Sequence, residues 1–106
     1  MPLEKENIPY GRQYIDEADI QAVTEVLRSD YLTTGPKSGE FEKLVCQYTG
    51  AKYAVAVSNG TAALHAACCA AGIGPGDEVI TTPLTFAASA NCVLYCGGKP
   101  VFADVD

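Results

Sequence analysis

The stretch Tyr53-Ala54-Val55-Ala56-Val57 is apolar without polar alternation, and Ser58-Asn59-Gly60-Thr61 follows it directly. An unalternated run of that length is the pattern of a strand covered on both faces, which means a parallel sheet flanked by helices. The remaining elements fit such a sheet. An alanine-rich helix is expected from Ala62 to Ala71, then the turn cluster Gly72-Ile73-Gly74-Pro75-Gly76-Asp77. Glu78 to Thr81 reads as a second strand, Thr85 to Tyr95 as a helical stretch, and Pro100 to Val105 as a third strand. Strand, helix, strand, helix, strand at this spacing predicts an α/β unit, βαβαβ, with parallel strands and right-handed crossovers.

Two helices precede it. Asp16 is a candidate N-cap, with Glu17 and Asp19 at the positive end of a helix over 17–28 and Ile15 placed to staple onto Ile20. Ile20, Val23 and Leu27 share one face. Thr33-Thr34-Gly35-Pro36 breaks the pattern as an ordered loop, Ser38 is a candidate cap for a second helix, and Gly50 ends that helix. Residues 1–38 are therefore set apart as an arm, helix and loop, and 39–106 as the α/β part.

Seven basic residues against 13 acidic give a net charge of −6 with no basic stripe, so nucleic acid and anionic membrane are poor partners. No apolar run approaches the roughly 20 residues of a membrane span, and MPLEKENIPY carries charges where a signal peptide is apolar. The expectation is a cytoplasmic chain. Its five cysteines (46, 68, 69, 92 and 96) form no CxxC pair and sit among alanines and aliphatics, as small hydrophobes do. Cys92 and Cys96 are four apart on a helix, but one histidine in the whole chain argues against a zinc site. That histidine, His65, reads as a packing or hydrogen-bonding residue.

Two places can carry chemistry. At the strand–SNGT–helix junction, N–H groups without intrahelical partners and the helix dipole favour an anion. Gly60 permits close approach there, and Ser58 and Thr61 add hydroxyls. The junction reads either as a phosphate cradle or as plain capping by Ser58 or Asn59. Second, Thr81-Thr82-Pro83-Leu84-Thr85-Phe86 follows a strand's carboxyl end, where open α/β sheets bind ligands. Phe86 is either a core residue or a ring face for a flat cofactor. No P-loop lysine is present, and the Gly72-x-Gly74-x-Gly76 run follows a helix, so neither nucleotide motif applies.

Taken in order, SNGTAAL, GPGDEVI, TxxTFxASAN and GGxPVFxDVD resemble the DegT–DnrJ–StrS family of pyridoxal-phosphate sugar-nucleotide aminotransferases over nearly the whole chain. IPYGRQYIDEADIQAV and SDYLTTGP are similar to its branch that aminates UDP-4-keto-6-deoxy-hexosamines, the pseudaminic-acid type. The resemblance implies the N-terminal part of the large domain of the aspartate-aminotransferase-like fold, with the first strand separated from the second and third by later ones. It implies that Gly60, Thr61 and the backbone of Ala62 hold the cofactor phosphate and that Phe86 stacks on the pyridine ring. Tyr10, Asp30, Tyr31, Leu32 and Thr33, with Gly60, would line the sugar-nucleotide site. It further implies a homodimer, an amino donor that is usually glutamate, and amination at C4 of a keto sugar for cell-surface or coat polysaccharide.

The family's cofactor-bonding lysine follows a serine-rich segment, and Lys5, Lys37, Lys43, Lys52 and Lys99 sit in no such context. No catalytic residue is therefore assigned. The expectation is roughly the first quarter to third of an enzyme, inactive alone. A dehydratase branch, which replaces that lysine by histidine, and a non-catalytic phosphate-binding domain are the alternatives.

Overall fold

Asp16 starts the first helix by accepting hydrogen bonds on Oδ1 from the N–H groups of Ala18 (2.9 Å) and Asp19 (3.2 Å). Asp19 returns the bond by accepting from the Asp16 N–H at 3.1 Å, which completes a capping box. Helix α1 then runs Glu17–Leu27. The computed structural model describes residues 11–104 and falls into two units, the break lying between Ser38 and Gly39.

Helix α2 is Pro36–Thr49, so Ser38 lies inside the helix and is not its cap. Proline sets the start. Its fixed φ suits the first helical position, and the N–H that it lacks has no intrahelical partner there. Thr34, at φ +52°, turns the chain into that start. At the other end the Gly50 N–H donates to the Cys46 carbonyl at 2.9 Å, where the helix was expected to stop.

Residues 53–57 do not form a strand, contrary to the sequence reading. A strand consists of its neighbours' hydrogen bonds, and among the described residues no other strand pairs with this segment. What holds it instead is the Glu42 carboxylate, which accepts from the Ala56 N–H at 2.8 Å. Helix α3, Gly60–Ala70, begins two residues earlier than expected. Strand β1 is Glu78–Thr81, as read from the sequence. Helix α4 is Ala88–Tyr95 and starts three residues after Thr85. The Thr82 hydroxyl accepts from the Leu84 N–H at 3.3 Å in the turn that precedes it, and no side chain caps the helix at Ala87. Strand β2 is Lys99–Phe102, shorter than expected; Ala103 still donates to the Thr81 carbonyl, and Val105 lies outside the described residues.

The architecture is therefore α/β, with a two-stranded parallel sheet in which Ile80 pairs with Val101 and Thr81 with Phe102. Lys99 and Ala103 both donate toward β1, to Asp77 and Thr81. Pro100 falls on the opposite parity, so the proline's missing N–H costs that ladder nothing. Helix α4 packs on both strands and on α3. Ala88, Cys92 and Val93 are buried there. Both α3 and α4 end in Schellman motifs. Gly72 and Gly97 take φ of +76° and +80°, and Ile73 and Gly98 donate back to Cys68 and Val93. Gly98 is tight: a Cβ there would lie 2.9 Å from Ile73 Cγ2 and 3.0 Å from Val93 Cγ1.

Candidate functional site

The start of α3 has three N–H groups for a ligand or a cap to satisfy. The Asn59 side chain takes one, accepting on Oδ1 from Ala62 at 2.8 Å, while Ala63 bonds the Asn59 carbonyl. Among the described residues, Gly60 and Thr61 N–H reach no acceptor. Capping and anion binding thus share the junction: Asn59 uses the third N–H and leaves the first two. A Cβ built on Gly60 would meet nothing within 4 Å, so the space beside its Cα is open.

Phe86, 25 residues further on, lines the same cleft of about 530 Å³ as Gly60 and Thr61, together with Leu64, Ala88 and Ser89. The β1–α4 connection and the short α4 bring it there, beside the beginning of α3. Phe86 is 77% exposed among the described residues, with its ring open to the cleft. Ala62 does not line the cleft, and its N–H already belongs to Asn59. A cleft with two free N–H donors, a hydroxyl and an open aromatic ring suits a small, flat, anionic molecule.

In the N-terminal unit, Tyr31 and Leu32 line a separate groove of about 340 Å³ with Glu25, Ser29 and Thr34. Asp30 and Thr33 are not on its wall, and Tyr10 lies outside the described residues. The Ser29 hydroxyl accepts from the Tyr31 N–H at 3.3 Å, shaping this turn.

At four residues, Asn59, His65, Cys69 and Cys96, the structure shows contacts that the sequence left open. Asn59 was visible only as one of two possible caps. His65 has two cysteine neighbours: one of its ring nitrogens and the sulfurs of Cys69 and Cys96 lie within 4.8 Å of one another. The i, i+4 spacing of His65 and Cys69 was legible, but Cys96 arrives only through the packing of α4 on α3. Cys96 pairs with Cys69, with sulfurs 3.6 Å apart, rather than with Cys92. Partial burial and the hydrogen bond with Cys69 push the Cys96 thiol up to about 11. No helix among the described residues is long and apolar enough to cross a membrane.

Comparison with known proteins gives a family-model match, described as the DegT/DnrJ/EryC1/StrS aminotransferase family, over residues 13–106. The spore coat polysaccharide biosynthesis protein SpsC of Bacillus subtilis is 52% identical over 98% of the chain. The UDP-4-amino-4-deoxy-L-arabinose–oxoglutarate aminotransferase of Shewanella sediminis is 49% identical over 98%. The chain spans 27% of the length of each of these relatives. Among solved structures, the PLP-form of a putative sugar aminotransferase of Streptococcus pneumoniae superposes with TM-score 0.81 at 39% identity, over 95% of this chain and 26% of that one. Helicobacter pylori PseC, an aminotransferase of pseudoaminic acid biosynthesis, gives TM-score 0.82 at 37% identity, over 95% and 28%.

Proposed function

The chain belongs to the DegT/DnrJ/EryC1/StrS aminotransferase family, and on that premise we propose that it is the N-terminal portion of a pyridoxal-phosphate-dependent aminotransferase acting on a nucleotide-linked keto sugar. The observation that carries the reading is the meeting of Gly60, Thr61 and Phe86 on one cleft. The residues fit the cofactor. Gly60 and Thr61 N–H and the Thr61 hydroxyl would hold its phosphate, and the α3 dipole favours that charge. The Phe86 face would fix the plane of the pyridine ring. When bound, the cofactor supplies the carbonyl that carries an amino group from donor to sugar.

Residues 1–38 act in this reading as an arm, helix and substrate loop, and 39–106 as the first part of the cofactor-binding domain. Tyr10, Asp30, Tyr31, Leu32 and Thr33, with Gly60, face the sugar nucleotide. The substrate is a 4-keto-6-deoxy sugar aminated at C4, with glutamate as donor, for cell-surface or coat polysaccharide. Support comes from a 49% identical relative whose name pairs a UDP-4-amino sugar with oxoglutarate, and from a 52% identical one named for a coat polysaccharide. The working enzyme is a cytoplasmic homodimer. Among the described residues no lysine lines the Gly60–Phe86 cleft, and in this reading the 106 residues alone are inactive.

In the full-length enzyme, Gly60→Asp should abolish cofactor retention, because a carboxylate would fill the approach space with the wrong charge. A purified variant with wild-type cofactor absorbance would refute the cradle. Phe86→Ala should weaken cofactor binding by roughly 0.5–1.5 kcal/mol while leaving apo-enzyme melting nearly unchanged. Turnover of a UDP-linked 4-keto sugar with glutamate, read as 2-oxoglutarate release, tests the substrate class.

A further inference from the structure

Away from the cofactor cleft, the packing of α3 on α4 gathers His65, Cys69 and Cys96. From this geometry we propose a zinc-binding site with those three side chains as ligands and a water in the fourth position. It is independent of the aminotransferase reading, since none of the three lines the Gly60–Phe86 cleft.

The ligand set is chemically apt. Two thiolates and an imidazole are soft to borderline donors of the type that zinc takes in tetrahedral sites. Zinc holding two sulfurs at about 2.3 Å and a tetrahedral angle sets them about 3.8 Å apart. Cys69 and Cys96 stand at 3.6 Å, so little movement separates the observed pair from a coordinating one. A disulfide of about 2.05 Å would demand a much larger approach. The histidine nitrogen falls within 4.8 Å of both sulfurs, a gap that a ring rotation can narrow.

The ligands also sit on fixed backbone. His65 and Cys69 are one turn apart on α3, hence on one face. Cys96 is the C-cap of α4, held by the Schellman motif that Gly97 and Gly98 close. The His65 ring packs edge-on against Tyr95, with centroids 5.3 Å apart, which restrains it beside Cys96. Cys69 is exposed, so the ion has a way in and a solvent side for the fourth ligand. Bound there, zinc would clip α3, which begins at the SNGT turn, to α4, which follows Phe86.

The test uses the full-length protein, stripped of metal and kept reduced with a non-coordinating phosphine. Titration with zinc against a chromophoric chelator should give one ion per chain. Cobalt in its place should show thiolate charge-transfer and tetrahedral ligand-field bands. Cys69→Ser and Cys96→Ser should each weaken zinc binding by more than about 100-fold, beyond the roughly 10–100-fold attached to outer-shell partners. His65→Ala should weaken it at least about tenfold, and Cys46→Ser, outside the cluster, should leave it unchanged. Zinc should also raise the melting temperature of the wild type but not of the folded Cys69→Ser variant. Absence of stoichiometric uptake by the reduced protein would overturn the proposal. So would uptake that survives the Cys69→Ser/Cys96→Ser double change, or a cobalt spectrum without thiolate bands.

Discussion

Val93 and Val55 are the same side chain in two settings: Val93 is 0% exposed and Val55 80%. Both come from apolar, regular-looking sequence. Val93 lies on α4, whose hydrogen bonds are closed between Phe86 and Gly98, and the adjoining Schellman turn folds Gly98 back against it. Val55 lies in a run that is more strand-like than β1, yet a strand's hydrogen bonds belong to its neighbours, and this run has none among the described residues. A helix is decided by residues a few positions away. A buried parallel strand is decided by chain that can be far away.

The largest effect expected from this contrast is at Gly98. Gly98→Val places a branched side chain where a Cβ alone would come within 2.9 Å of Ile73 and 3.0 Å of Val93. Neither methyl has a flexible stem to swing away, so a cost of about 3 kcal/mol is expected, the upper end of ordinary overpacking. Chemical denaturation of the purified protein checks it. A cost below that of Val93→Ala would mean that this corner is looser than its distances imply.

The paired valine test is next in size. Val93→Ala should cost about 2 kcal/mol, for the lost burial and the cavity left. Val55→Ala should cost under about 0.5 kcal/mol, as exposed substitutions do. The difference between the two is the quantity to measure, by denaturant midpoint at constant slope. Equal penalties in the 106-residue chain would show that 53–57 is packed in solution, and the contrast between the two valines would collapse.

The same physics sets how much was legible in the sequence. The N-cap at Asp16, the stop at Gly50 and strand Glu78–Thr81 could be read because each is announced by nearby residues. The start of α2 was misread at Ser38 because a serine hydroxyl and a first-turn proline are both start signals, and proline acted first. The start of α4 was read three residues early because no side chain caps it at Ala87, so no nearby residue announces it. The SNGT junction stood out as a place for an anion, but which N–H groups stay available depended on Asn59 choosing Ala62. Cys96 beside His65 was beyond reach from sequence, since 31 positions separate them and only the α3–α4 contact joins them.

The smallest expected effect lies at the rim, where Lys99 Nζ and Glu78 Oε1 meet at 2.6 Å across the first rung of the β1–β2 ladder. Their side chains are 72% and 59% exposed, so solvent and salt screen most of the attraction. The hydrogen bond to Glu78, and then its charge, nonetheless raise the Lys99 ammonium above its ordinary 10.5. A raised folded value means that the native state keeps its proton longer than the unfolded chain. The pair's contribution is therefore complete below the unfolded value and is lost as pH rises through the folded one. Cys68 and Cys96, also raised, slope the same way, so the alkaline limb of wild type alone cannot assign the effect. Subtraction can. Lys99→Met should flatten the limb slightly above pH 10, with no change near neutrality beyond the small salt-sensitive loss of the pair itself. An unchanged alkaline slope would mean that this rung is held by its backbone bonds alone, which would extend to the sheet's rim the rule seen at Val55: position in the ladder matters more than the side chain that decorates it.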